Sequence, residues 1–216
     1  MARILSTKKL TDPQQQLLLN TSHSLVHYDA IQITALPENF PTKLIKNAIV
    51  TSQNTAKLII ENKFQIDKVF CVGEKTAGLL FEHNYKVALV CEYASILAEI
   101  ITSNYADDNF SLICSQQRLE TIPNKFSQEK LELQEFHIYQ TTSRDQKFEK
   151  DFDVVLFYSP SGIRSFFEAN PQMTSIHAVC IGTTTAKAAE KYVDKVSFSS
   201  QTSVESVIVK AVKLLQ

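Results

Sequence analysis

FCVGEKTAGLLFEHNYKVALV, residues 70–90, reads as a strand, a glycine turn, a helix and a second strand. A strand followed by a helix and another strand is the building block of a parallel sheet. The same reading returns 109 residues later in VCIGTTTAKAAEKYVDKVSFS, residues 179–199. Two more segments repeat in the same order. IVTSQNTAKLII (49–60) aligns with FYSPSGIRSFFE (157–168) at an offset of about 108, and RILSTKKL (3–10) aligns with LICSQQRL (112–119) at 109. Three ordered matches at nearly one offset indicate an internally duplicated unit of about 109 residues.

Working outward, short β-branched runs alternate with amphipathic stretches along the whole chain. Strands are expected at Arg3–Ser6, 48–52, 68–73, 86–90, Phe110–Ser115, 154–159, 177–182 and 195–199. Helices are expected, among others, at 54–62, 75–83, 95–103 and 203–215. In the last, Val204, Val207, Ile208, Ala211, Val212 and Leu215 recur at helical spacing, and Thr202 with Glu205 forms a capping-box pattern. The pattern predicts an α/β fold with parallel sheets covered by helices on both faces.

Two segments break the rhythm at equivalent places in the repeat. VHYDAIQITAL (26–36) and LELQEFHIYQTT (131–142) are extended, and no periodic helix follows them. They are expected to form a two-stranded β connector. That partitions the chain into a discontinuous domain of residues 1–27 plus 143–216, a second domain of 36–130, and linker strands 28–35 and 131–142. The working site is then expected in the cleft between the domains.

Composition excludes several classes of function. Apolar residues make up 44% and charged residues 21%, ordinary for a globular chain. A formal net charge of −1 gives no global field to recruit nucleic acid or an anionic membrane. No apolar run approaches the length of a membrane span. The N-terminus lacks the apolar stretch of a signal peptide, so a cytoplasmic location is expected. Cys71, Cys91, Cys114 and Cys180 lie in or beside apolar strand runs with no CxxC pair, which reads as reduced core thiols. The histidines at 23, 27, 83, 137 and 177 show no HExxH or other metal spacing, so no metal site is expected. There is no GxxxxGK[ST] loop, GxGxxG fingerprint or GxSxG elbow.

What the chain does offer is a set of polar turns. Of only four glycines, Gly73, Gly162 and Gly182 sit at strand-to-helix turns, where a Cβ is expected to obstruct a tight turn. Four turns stand out: 51–54 (TSQN), 73–76 (GEKT), 159–162 (SPSG) and 182–185 (GTTT). Ser159 reads as an N-cap with Pro160 at the first helical position. A helix start presents unsatisfied N–H groups and the positive end of the helix dipole, and so binds carboxylates or phosphates. Such turns lie at the carboxyl ends of parallel strands, where ligands bind. Single Ser and Thr residues here also cap helices. Four such turns in two pairs favour one ligand with several anionic groups, acted on by positioning and backbone hydrogen bonds.

These residues resemble a known family. FYSPSGIRSFFE followed by VCIGTTTAKAAEKY is similar to the C-terminal signature of uroporphyrinogen-III synthases. ITSQNTAKLI followed by CVGEKTAGLL is similar to its first-half counterpart, and IYQT at 138–141 resembles the family's tyrosine-bearing linker strand. The resemblance runs from Arg3 to the C-terminal helix. It implies two flavodoxin-like domains joined by a two-stranded connector, with the first strand completing the domain built from the C-terminal half. It implies a lyase without cofactor that takes hydroxymethylbilane, a linear tetrapyrrole bearing eight carboxylates; no heptad or long apolar stripe argues for assembly, so a monomer is expected. That substrate loses its hydroxyl, inverts ring D through a spiro intermediate and closes to uroporphyrinogen III.

By the same resemblance, Tyr139 is the catalytic residue, a weakly acidic phenol that assists departure of the hydroxyl. Ser159, Ser161, Gly162, Thr184 and Thr185 bind carboxylates from one domain, and Thr51, Ser52, Asn54 and Thr76 do so from the other. The chain departs from the pattern at Thr183, where proline is usual, and at Asn54 and His177, where some members carry a basic residue. Lys75, Arg164 and backbone amides are expected to supply the missing attraction. The competing reading is a non-catalytic cytosolic two-domain protein that binds a small polyanion.

Overall fold

The computed structural model describes residues 1–19 and 21–215. The chain divides into two compact units, Met1–Gln32 with Thr142–Gln216, and Ile33–Thr141.

In the first unit, β1 (Arg3–Ser6), α1 (Asp12–Leu19) and β2 (Ser24–His27) come from the N-terminus. The rest comes from the C-terminal part. In chain order, β3 (Ile31–Ala35), β4 (Ile45–Val50), α2 (Gln53–Glu61), β5 (Ile66–Val72), α3 (Glu74–Glu82), β6 (Val87–Cys91), α4 (Ala94–Asn104), β7 (Phe110–Ser115), α5 (Thr121–Gln128) and β8 (Leu133–Ser143) lead to it. There follow β9 (Val154–Phe157), α6 (Pro160–Ala169), β10 (His177–Cys180), α7 (Thr183–Ala189), β11 (Lys195–Phe198) and α8 (Val204–Leu215). The first unit's sheet runs β11-β10-β9-β1-β2, with every pair parallel. Read from the β2 edge in chain order this is 2-1-3-4-5, a doubly wound order whose switch point lies between β1 and β9.

Alternation along these strands builds two cores. Leu5, Val155, Phe157, Ala178 and Cys180 point to one face and pack under Ile163, Phe166 and Phe167 of α6 and Ala186 and Ala189 of α7. Ile4, Val154, Leu156 and Val179 point to the other, against Leu18 of α1 and Val207, Ile208 and Ala211 of α8.

The second unit repeats the plan. Its sheet runs β3-β8-β7-β4-β5-β6. Omitting β3, the order β6-β5-β4-β7-β8 matches β11-β10-β9-β1-β2 strand for strand. Ala48, Val50, Val69, Cys71 and Ile113 pack under α2 and α3. Ile49, Phe70, Leu112 and Cys114 pack under α4 and α5. All four cysteines are buried and free.

The structure changes several sequence expectations. The extended segments 26–36 and 131–142 do meet, since β3 and β8 are neighbouring strands, and β8 also pairs in parallel with β7 from Phe110↔Leu133 to Ser115↔Tyr139, so it belongs to the second sheet as well. Segment 26–36 is two strands, β2 and β3. Residues 28–32 fall in the first unit and 33–35 and 131–141 in the second. Strands expected to run to 52 and 159 stop at Val50 and Phe157, because Ser52 and Ser159 keep extended dihedrals but leave the ladder to cap helices. The α8 cap is Ser203 rather than Thr202: Ser206 N–H donates to Ser203 Oγ at 3.1 Å. Among the described residues, no helix is long and apolar enough to cross a membrane.

Candidate functional site

Four helices start directly after a strand at the turns singled out above. In the second unit, α2 follows β4 and α3 follows β5. In the first, α6 follows β9 and α7 follows β10. All four starts therefore lie at the carboxyl edge of a parallel sheet.

Ser52 and Ser159 perform the same task. Thr55 N–H donates to Ser52 Oγ at 3.0 Å, and Gly162 N–H donates to Ser159 Oγ at 3.0 Å. These caps are 107 residues apart, so the 108 offset read from sequence pairs the wrong residues at this turn. Alignment by apolar pattern follows the helix face, whereas the equivalent position is fixed by the cap hydrogen bond.

The four starts differ in what they offer an anion. Gln53 and Asn54 of α2 have N–H groups that meet no acceptor among the described residues, and the first turn of α2 holds no carboxylate. The same is true of Thr183, Thr184 and Thr185 in α7. In α6, Pro160 has no N–H and Gly162 N–H is used by the cap, which leaves Ser161. In α3, Glu74 already places a carboxylate in the first turn, and Thr76 N–H is turned back onto Gly73 O. Like-charge repulsion from Glu74 makes α3 the weakest of the four.

Burial sorts the side chains further. Thr76 and Thr185 are each 4% exposed, so their side chains are buried. Asn54 and Thr184 are exposed, and Thr51, Ser52, Ser159 and Ser161 are half-buried. Ser159 Oγ and Ser161 Oγ are 3.0 Å apart. Gly162 is buried on the first turn of α6, and a Cβ there would stand 3.3 Å from Ser159 Oγ. Gly73, at φ 84°, holds a conformation that side chains disfavour. Gly182 is a correction: its φ of −175° is ordinary extended backbone, and a Cβ would meet only Thr202 Cγ2 at 3.6 Å. His177 opens β10, at the opposite edge of the sheet from the α7 start, and its Nε2 lies 2.9 Å from Ser197 Oγ. It does not sit with the anion-binding turns.

Tyr139 is brought to α2 by a β-bulge. Up to Cys114↔His137 the β7–β8 register is regular; one residue later Ser115 lies opposite Tyr139. A one-residue slip turns every later side chain to the other face. His137, before the slip, shares the face of Cys114, whereas Tyr139, after it, joins Ile113 and the α2–α3 core. There its Oη lies 3.1 Å from Ser52 Oγ, which lies 2.9 Å from Thr55 Oγ1. Ser52 Oγ already accepts from Thr55 N–H, so its proton is free to go to Tyr139 Oη. In that arrangement Ser52 leaves the phenolic proton unused, although Tyr139 as a whole is only 5% exposed.

Sequence reasoning missed residues at the corresponding place in the first unit. Thr7, just past β1, donates from Oγ1 to Leu156 O at 2.8 Å, and Ser6 Oγ lies 3.2 Å from Tyr158 Oη. Burial raises the Tyr158 phenol well above its usual range. The signal was present in the aligned RILSTKKL and LICSQQRL, which end strands flanking the two switch points.

A doubly wound α/β chain whose helix starts carry N–H groups without acceptors among the described residues, with no dinucleotide or phosphate-loop signature, is the class these features define. The solved structures it resembles share that fold. Uroporphyrinogen-III synthetase from Helicobacter pylori 26695 matches at a TM-score of 0.74 and 15% identity, covering 99% of this chain and 100% of that one. A mutant uroporphyrinogen III synthase from the extremely thermophilic bacterium Thermus thermophilus matches at 0.71 and 12%, covering 100% and 99%. The wild-type Thermus thermophilus enzyme in a second crystal form matches at 0.57 and 13%, covering 100% and 98%. No curated protein sequence matches the chain. The family model described as uroporphyrinogen-III synthase HemD matches residues 16–208. The chain belongs to the uroporphyrinogen-III synthase family.

Proposed function

We propose that this chain converts hydroxymethylbilane to uroporphyrinogen III, with loss of water and inversion of ring D through a spiro intermediate, as a step of tetrapyrrole synthesis. Family membership over residues 16–208 carries the reading. The geometry supplies a physical reason for it. A substrate with eight carboxylates needs several anion sites, and α2, α6 and α7 begin without a competing carboxylate in the first turn.

In this reading the N–H groups of Gln53 and Asn54, with Thr51, take carboxylates on the second unit, while the Ser52 hydroxyl, first read as a carboxylate ligand, is committed to the α2 cap and to Tyr139. Ser159, Ser161, Thr184 and Thr185 do so on the first, Thr185 through its backbone, while Gly162 N–H stays with the Ser159 cap. Thr76 contributes structure rather than a hydroxyl. Tyr139, with Ser52 donating to it, gives a hydrogen bond to the departing hydroxyl and steadies the electron-poor pyrrole left behind. The enzyme is a cytoplasmic, monomeric lyase whose two units are flavodoxin-like copies from one duplication, linked through β3 and β8. Catalysis is chiefly positioning: the flexible chain is held so that inverted closure outruns the spontaneous uninverted one.

Stopped incubation of purified protein with hydroxymethylbilane tests this. Substrate should vanish much faster than by spontaneous closure. A rate equal to the protein-free control would oppose the proposal.

A further inference from the structure

On the face of the second unit's sheet opposite Tyr139, β7 and β8 bring together a thiol, an imidazole and a carboxylate. Cys114 and His137 are cross-strand partners, and Glu135 lies two residues before His137 on the same face. Cys114 Sγ stands 3.7 Å from His137 Nδ1, and His137 Nε2 stands 3.4 Å from Glu135 Oε2. One ligand atom from each of the three lies within 4.8 Å of the other two. We propose that Cys114, Glu135 and His137 form a zinc-binding site, with a fourth coordination position left to water.

The donor set selects the ion. Thiolate and imidazole suit zinc and exclude calcium and magnesium, which take oxygen ligands. Three protein ligands and an open position are a common zinc arrangement. The surroundings resemble the outer shell of such sites. Arg118 binds both oxygens of Glu135, through Nε to Oε2 and through Nη2 to Oε1 at 2.8 Å. A carboxylate has about four lone-pair positions, so this grip orients Glu135 without exhausting it. His137 Nδ1 also lies 3.2 Å from Ser115 O, a backbone acceptor that can fix the ring.

Charge is balanced as well. Arg118 Nη1 pairs with Glu120 Oε1 at 2.6 Å. A zinc dication, the Cys114 thiolate, Glu135, Arg118 and Glu120 therefore sum to zero, with one thiol proton released on binding. His137 and Glu135 side chains are partly exposed, which leaves a path from solvent to the buried sulfur. The ligands come from two strands and lie 21 and 23 residues apart in sequence. No sequence spacing rule reports such a set; the β7–β8 register does.

Cobalt titration of the full chain, followed by zinc competition, tests the site. Cobalt should give a near-ultraviolet thiolate-to-metal band and visible bands of four-coordinate geometry, both erased by zinc, with a single zinc retained per chain. Cys114→Ser should lose the thiolate band, and His137→Ala should weaken zinc binding about 100-fold or more. Cys180→Ser, in the first unit, should retain both signals. Zinc should raise the melting temperature of the parent and not of Cys114→Ser. Absence of the band in the parent, or equal zinc affinity in the parent and in folded Cys114→Ser and His137→Ala chains, would overturn the proposal.

Discussion

Ser52 holds the start of α2 and the Tyr139 hydroxyl with one oxygen. On the proposed mechanism Tyr139→Phe removes the hydrogen bond to the departing hydroxyl, so kcat should fall roughly 10- to 100-fold. Loss of the Ser52 contact should cost about 1 kcal/mol by urea unfolding. Full activity in a folded Tyr139→Phe chain would take the phenol out of the mechanism. Glycine positions separate conformational need from space. Neither Gly73 nor Gly78 would bring a Cβ within 4 Å of a neighbour. Gly73→Ala should nonetheless destabilise by about 1–3 kcal/mol through its positive φ. Gly78→Ala, inside α3, should stabilise by about 0.5–1 kcal/mol. Urea midpoints of the two variants should therefore move in opposite directions. Desolvation, then the charges of Lys195 and Lys210, hold the His177 imidazole below its ordinary value of 6.5. The unfolded chain binds this proton more readily. The resulting stability is present above pH 6.5 and is lost as pH falls below it. His177→Gln should flatten the pH dependence of unfolding between about pH 7 and 5; an unchanged slope would remove His177 as its source.

Elements were legible wherever periodicity and punctuation agreed. FCVG and VCIG announced β5 and β10 because each combines an apolar run with the glycine that starts the next helix. The 109-residue offset carried the succession of strands and helices from one half to the other. What escaped was whatever depended on pairing. VHYDAIQITAL gave one extended segment instead of β2 and β3, since a polar turn within an extended run leaves no periodic mark. The bulge at Ser115 and Tyr139 has no sequence signal, yet it decides that Tyr139 lies with α2 rather than on the face that Cys114 and His137 share. The four turns were legible as helix starts. Their ranking was not, because it rests on Glu74, on burial of Thr76 and Thr185, and on which N–H groups already have acceptors. His177 was read from sequence as a departure at the site and proves to stand at the far end of its strand.

At the scale of the molecule, each unit carries apolar cores on both faces of its own sheet. The second is one uninterrupted stretch, Ile33–Thr141. Residues 33–141 expressed alone should fold, with mixed α/β circular dichroism and a cooperative melt; a non-cooperative melt would show that this stretch depends on the rest of the chain. The first unit, split between the termini, allows no such excision. The account as a whole rests on the conversion of a linear octacarboxylate to one particular ring isomer, and isomer analysis of the product tests that most directly. With purified protein and hydroxymethylbilane, the oxidised product should be predominantly the type III isomer. Type I alone, as forms without protein, would contradict the account.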